Sequence, residues 1–487
     1  MKKLLLIGLL LGLIGNGVAG QAVTLTKGAE GKSLDKESVL NMWYLGNSED
    51  LSCWLTTDDD RDDDWCVVSM DRNMNILRRL ALPLDKDYRV VAVNENGWTA
   101  NVIMVDSSEK KSTVVVRFSV EMDSLVLAEG RVDTLASFTL AKGDRCKVWG
   151  AVSANGQYMG LLTLQEFSSK KQYTATATMY DRAMNELWSQ EFPVGTTSSV
   201  AVSDLGELLT LGYEREAVEE RFLVSVIGDR GGENYSMTVN CDRVTDMRIV
   251  NVLDRKMICA GVFSPTMSDP EDQLVGGTVM MVFDLDSTQI TGFTLNPFQN
   301  EDVNILMNKK TKKVQKEKVM PMVVPLAYSA TPYGAVLAVG HRHVLRYKNA
   351  NGTISTTYFT QGIHLVAIDD NANVKWVRNL RRNDIEKDED GMLYMALFAE
   401  NDTVCLVKSE CAKYPADYNI AKEAKEYEMG DKGNLVLYRV AEDGEVRKDI
   451  LEQKTKHMLV SAAKSEEGSV LLVTLKGRKS RLVELKF

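Results

Sequence analysis

The chain has 487 residues, with 58 lysines and arginines against 68 aspartates and glutamates, a formal charge of −10. That balance gives no general attraction to phosphate backbones and argues against a nucleic-acid partner. Seven cysteines are too few for a disulfide-dense scaffold, and no C-x-x-C pair is present for a zinc module.

The chain starts with Lys2 and Lys3, an apolar stretch from Leu4 to Ile14, and small residues at Val18, Ala19 and Gly20. This is the pattern of a secretory signal peptide over residues 1–20, its apolar core shorter than the roughly 20 residues that span a bilayer. No second apolar run of spanning length follows. The expected location is therefore exported: periplasm, cell surface or medium.

Residues 21–487 are expected to form one all-β domain. A lone strand, Gln21–Lys27, precedes the first complete repeat near Val39. Cys53 and Cys66 flank the acidic tip of the first hairpin, where a bridge across the hairpin competes with the reading of both as small buried hydrophobes. The tip itself, Asp58 to Asp64, holds six aspartates among seven residues. Clustered carboxylates suit calcium, but the glycine and distal glutamate of a helix-loop-helix calcium site are missing, so a solvated tip is the simpler reading.

A paired-strand unit then recurs. It runs from Cys66 to Pro83, from Ala177 to Pro193 and from His364 to Leu380, each with an Asp ending the first strand (Asp71, Asp181, Asp369) and an Asn four residues later (Asn75, Asn185, Asn373). Asp bonds backbone two residues on, and Asn tolerates the left-handed backbone of a tight turn. Looser copies lie at 118–127, 224–237, 282–295 and 435–450, the last with Gly444 in the Asn position. Trp188 and Trp376 each follow their Asp by seven residues, which predicts a structural role between repeats. Between these hairpins sit pairs of continuous apolar runs joined by Gly-ended turns, as at residues 90–105, 148–164, 200–212 and 457–475. Such runs suit strands buried on both faces.

Four strands per repeat without helical period resemble β-propeller blades, and the D-x-x-x-N-x-x-W hairpins are similar to the outer blade motif of quinoprotein-type and WD-type propellers. The resemblance implies a fold and no specific family. It implies about eight blades, or seven if one weak repeat is misassigned, with the N-terminal strand completing the three-stranded last repeat and so removing two open edges.

Two stretches exceed the repeat spacing, 296–320 and 409–433, and insertions in propellers decorate the loops where binding occurs. The first carries a basic run, Lys309, Lys310, Lys312, Lys313, Lys316 and Lys318, read as a solvated loop or a contact for an anionic partner. The second contains Y-N-I-A-K-E-A-K-E-Y-E-M, which fits a short exposed helix. His341 and His343 project to one strand face and can supply two metal ligands, with His364 as a third. Asp384, Asp388, Asp390 and Gly391 form a second acidic loop.

No G-x-S-x-G elbow, phosphate-binding glycine loop or H-E-x-x-H helix is present. Catalytic and metal residues stay unassigned, and no cofactor is predicted, calcium being the one considered. The leading expectation is a binding or scaffolding module for a protein or glycan at the cell envelope, as a monomer or within a hetero-complex. The alternative is a propeller enzyme acting on polysaccharide, or a cofactor-dependent quinoprotein-like oxidoreductase.

Overall fold

The structure is a computed structural model. It describes residues 23–28, 30, 42–48, 51–58, 64–106, 112–128, 130–167, 172–216, 219–265, 274–309, 320–348, 353–387, 395–414, 423–428, 431–465, 468–477 and 479–487. Strand dominates these residues, and the helix Asn300–Leu306 interrupts it.

Among the described residues the strands form eight sheets of four or five strands, together with one two-stranded pair, Leu274–Val275 with Met320–Pro321. In chain order the sheets span residues 43–81, 88–139, 145–192, 199–239, 243–297, 323–387, 395–455 and 458–486. Most pairings join strands adjacent in sequence and are antiparallel; the exceptions to adjacency include the chain's first strand in the eighth sheet, Asp133–Thr139 beside Ser112–Glu121 in the second, and a late parallel addition to the sixth.

The initial strands of successive sheets lie side by side, from Trp43–Ser48 against Tyr88–Asn96 through to Met395–Glu400 against Met458–Lys464. Each sheet also shares a buried apolar cluster with the next. Val67 and Val102 join the first two, for example, and Phe222 and Phe283 join the fourth and fifth. Trp54 and Met70 of the first sheet pack with Met458 and Val473 of the eighth. Sheets stacked face to face around their first strands make the fold a β-propeller.

The apolar runs explain this arrangement. In Thr99–Asp106, six consecutive residues are buried, because both faces of a middle strand meet a neighbouring sheet. Outer strands alternate instead, as in Glu186–Phe192. Trp188 lies on one such outer strand and packs between the third and fourth sheets, and Trp376 packs between the sixth and seventh, as their shared spacing predicted. Five initial strands carry one-residue bulges, with Leu45, Val91, Leu326 and Val460 as the extra residues in four of them and both Thr245 and Val250 in the fifth sheet's. Bulges sharpen local twist, which suits strands converging on an axis. Gly150 marks how tightly they converge, since a Cβ there would lie 2.7 Å from a methyl of Val91.

The eighth sheet uses both chain ends. Thr24–Lys27 pairs antiparallel with Lys479–Lys486, setting Thr24 opposite Lys486 and Lys27 opposite Val483. Just beyond, Glu30 receives Lys476 at 3.0 Å, Lys479 at 2.8 Å and the His457 ring at 3.0 Å.

The three strict turns are superimposable in their bonding. Asp71 Oδ1 accepts the amides of Asn73 and Asn75, and Asn75 Nδ2 donates to Asp71 Oδ2 at 2.9 Å; Asp181/Asn185 and Asp369/Asn373 repeat this. One expectation is corrected. The left-handed residue is not the Asn but the one before it: Met74 at φ 61°, Met184 at 66° and Ala372 at 62°. Their side chains are buried in sheet-to-sheet clusters, which offsets the backbone cost. Gly444, at φ 83°, therefore replaces this buried residue rather than the Asn, and Glu445 stands where the Asn would be.

All seven cysteines are free thiols. Cys53 pairs with Ser69 and Cys66 with Thr56, so the two do not face each other across the hairpin. They project to opposite faces, Cys53 into the cluster with the second sheet and Cys66 into that with the eighth.

Candidate functional site

The sixth sheet differs from the rest in strand length. Gly334–Lys348, Ile354–Asp369 and Val374–Lys387 have 15, 16 and 14 residues, whereas strands of the other sheets reach at most 11. At about 3.3 Å per residue the excess carries the hairpin well past its neighbours. A bulge at Gln361/Ile363 marks where the extension begins.

Both sequence insertions are built onto this extension. Helix Asn300–Leu306 lies on strands Ile354–Asp369 and Val374–Lys387. Gly362 permits the contact: its φ is 59°, and a Cβ would sit 2.4 Å from Leu306 Cα. Asp302, third in the helix, accepts the Gln299 amide at 2.6 Å and Asn379 Nδ2 at 2.7 Å. His364 closes the group, 2.8 Å from Asn379 Oδ1, 3.4 Å from Asp302 and edge-on to Phe298. Burial alone would raise the Asp302 carboxyl, but the His364 ring and the two amides hold it below the usual range.

From the other insertion, Tyr427–Glu428 adds a fifth strand to the sixth sheet, parallel to Asp384–Ile385. The expected helix is not found in its described half: Glu423–Glu426 has no regular structure, and Tyr427 begins the added strand. Tyr427 is buried between the sheets, an apolar demand that strand pairing meets. Residues 415–422 lie outside the described residues.

Beneath the insertions lies a buried ionic network that no local motif announced. Arg381 donates to the Asn304 carbonyl at 3.2 Å, and Lys408 donates to the Arg381 carbonyl at 3.2 Å. Glu410 lies 3.6 Å from Lys408, pairs with Lys448, and accepts the Tyr438 hydroxyl at 2.9 Å. Arg382 pairs with Asp384. Burial pushes the Lys408 ammonium down, with Glu410 and Asp384 pulling against it. Each charge is committed to a partner in the fold, so the network ties the sixth sheet to the seventh.

The network also claims one residue of the second acidic stretch. Asp384 is a buried strand residue held by Arg382 rather than part of an open acidic loop, and Asp388, Asp390 and Gly391 lie outside the described residues. His341 and His343 do share a face, ring centroids 5.3 Å apart, with His343 stacked on Phe359 at 4.5 Å. Burial lowers both imidazoles. His364 belongs to the helix anchor instead, and no group of three metal-ligating residues occurs among the described residues. Asp59–Asp63 and the lysines from Lys310 to Lys318 also lie outside the described residues. Lys309 is described, its amide bonded to the Asn304 carbonyl at 2.6 Å.

Val91, Trp149, Ala201, Ile249, Ala327 and Ala462 of the initial strands pack against the apolar clusters between neighbouring sheets. A cleft of about 480 Å³ opens between the fifth and sixth sheets, lined by Tyr213, Arg243, Asp246, Ser264 and Val323 among others. Burial raises the Asp246 carboxyl, and Arg248 at 3.8 Å draws it back. Burial likewise pushes the Tyr213 hydroxyl up to about 12.

No protein-family model and no curated protein matches the chain. Solved structures similar to it include the WD40 domain of SCAP from fission yeast, 7% identical over 96% of this chain and 98% of that one, TM-score 0.39. The β-propeller domain of the Trilobed protease from Pyrococcus furiosus is 12% identical over 87% and 98%, TM-score 0.36. An oligogalacturonate lyase in complex with manganese is 6% identical over 96% of each chain, TM-score 0.38. Similarity at this level carries no argument about function, and the assignment as a propeller rests on the sheet topology above.

Proposed function

We propose that this chain is an exported β-propeller, matured by loss of residues 1–20, that acts as a binding and scaffolding module for a protein or glycan partner at the cell envelope. The observation that carries this reading is the extension of the sixth sheet. Val344, Leu345, Tyr347 and Ile354 stand exposed on it, Ile354 at 70%. Exposed apolar side chains gathered on one projecting element gain free energy when a partner covers them, on the order of 25 cal/mol per Å². The insertions and buried charges brace its base, and bracing is what a presented contact surface needs.

The test is isolation of the chain from its native envelope after mild cross-linking, with the mass of its N-terminus determined. Recovery of the mature chain from residue 21 with one reproducible companion supports the reading. Recovery of the unprocessed chain alone, inside the cell, sinks it.

One observation favours the enzymatic alternative: the cleft between the fifth and sixth sheets holds a half-buried carboxyl of raised pKa, Asp246, beside Arg243 and Tyr213. Release of new reducing ends from polysaccharides by the wild type but not by Asp246→Asn would select that alternative.

A further inference from the structure

The edge of strand Gly334–Lys348 that faces the initial strand Val323–Thr331 is paired only over its first part. Val323–Thr331 covers it as far as His341, and the last backbone bond on that side runs from the Arg342 amide to the Met322 carbonyl at 2.8 Å. From His343 to Lys348 the strand is paired to Phe359–Ile354 on one side and, among the described residues, to nothing on the other. Val344, Leu345, Arg346, Tyr347 and Lys348 are exposed in unbroken succession, so neither face of this stretch is covered.

Alternation sorts these side chains into two unlike faces. Arg342, Val344, Arg346 and Lys348 share one, with the Arg342 guanidinium 5.8 Å from the Tyr358 ring; His343, Leu345 and Tyr347 share the other. The stretch Arg342–Lys348 holds three basic residues and no acidic one, in a chain whose net charge is −10. Natural sheets normally blunt such an edge, and an open one is a template for an added strand.

We propose that His343–Lys348 takes up an extended segment of a partner protein as an added β-strand, and that the segment alternates acidic with apolar residues. Main-chain bonds to the open edge supply affinity. The acidic positions meet Arg342, Arg346 and Lys348, and the apolar ones meet Leu345 and Tyr347. A second copy of the chain fits poorly, because any antiparallel self-pairing of this stretch sets basic residues against basic residues. The inference rests on the binding reading above and names the partner's chemistry and mode of contact.

The experiment uses the full chain and synthetic peptides of about nine residues, a typical strand length. One peptide alternates Glu with Val, one alternates Lys with Val, and one is the acidic peptide with proline at its centre. Binding is followed by fluorescence anisotropy, and the contact is located by hydrogen exchange. The acidic peptide is expected to bind, to protect the amides of residues 343–348, and to lose binding on proline insertion. In the Arg346→Glu/Lys348→Glu variant the preference should reverse, favouring the basic peptide by about tenfold. Both substituted residues are exposed, and an unchanged melting temperature shows that the variant is folded. Equal binding of the two charge patterns, protection away from 343–348, or wild-type self-association abolished by the double substitution would each overturn the proposal. If the strand test fails while an envelope companion is still recovered with the double variant, only strand addition falls and the binding reading stands.

Discussion

Asn308 and Ala424, 116 residues apart, hold each other by two hydrogen bonds: Asn308 Nδ2 donates to the Ala424 carbonyl at 3.0 Å, and the Ala424 amide donates to Asn308 Oδ1 at 2.8 Å. One residue lies in each insertion, so this pair is where the two become one structure over the sixth sheet. Asn308 also takes φ 50°, a left-handed value that asparagine tolerates better than most residues.

Replacing Asn308 with Gly keeps the backbone and removes only the side-chain bonds. The expected loss is about 1–2 kcal/mol, confined to the insertions. Hydrogen exchange should quicken at residues 423–428 while the central strands keep their protection. Unchanged exchange there would mean that the second insertion is held by other contacts.

Glu410 neutralises two buried ammonium groups, so Glu410→Ala should be among the most damaging single changes, at roughly 3–5 kcal/mol. Replacing Lys408, Glu410 and Lys448 together with Met, Leu and Met leaves no buried charge stranded and should cost less than the single change. Chemical denaturation of the two variants decides this, and a triple variant weaker than Glu410→Ala would contradict it.

The joint between the chain ends should weaken in acid. Its partners hold the Glu30 carboxyl well below the ordinary range, Lys479 first among them, and burial lowers the His457 imidazole despite Glu30 beside it. For both groups the unfolded state binds protons more readily, so their contribution is intact at neutral pH. His457 begins to oppose folding below its ordinary value of 6.5, and Glu30 adds to this below its ordinary 4.5. Amides of Thr24–Lys27 should therefore exchange faster, relative to the central strands, as pH falls from about 7 to 4, once intrinsic exchange rates are corrected for. His457→Gln should flatten that dependence.

Removing residues 21–27 altogether should expose the edge of Lys479–Lys486. The expected outcomes are a lower melting temperature and association through that edge, read by light scattering. A truncated chain that melts like the intact one would show the strand to be dispensable.

At the strict turns, Asp181→Ala removes the acceptor for the amides of Ala183 and Asn185 and for Asn185 Nδ2, at an expected cost of about 1–2 kcal/mol. Gly444→Asn should also destabilise, although Asn occurs one residue later in the related turns, because a Cβ there would lie 2.4 Å from the Arg378 guanidinium, which must then give up its hydrogen bond to the Gly444 carbonyl. If Gly444→Asn were stabilising, the alignment of Gly444 with Met74 and Met184 would be wrong.

The repeats were legible because their bonds close within five residues. Asp71 and Asn75 need nothing but each other to define a turn, and the apolar runs between turns declare strands covered on both faces. Even there, which residue turns left-handed could not be read from residue type alone. Met74 and Ala372 occupy an unfavourable backbone region because a neighbouring sheet buries their side chains, and that neighbour is remote in sequence. The same limit explains the histidines. Alternation placed His341 and His343 together, but His364 was claimed by Asp302 and Asn379 across a helix that the pattern did not announce.

The sequence by itself determined the strand repeat, its turns, and the two places where the repeat is exceeded, since each depends on local hydrogen bonds and on the period of apolar residues. Tertiary structure alone decided that the two insertions meet at Asn308 and Ala424, that Lys408, Glu410 and Lys448 form one buried network, and that the edge from His343 to Lys348 is left open among the described residues. Those outcomes depend on how far one sheet's strands outrun the next, a difference in reach that appears only when the sheets stand side by side.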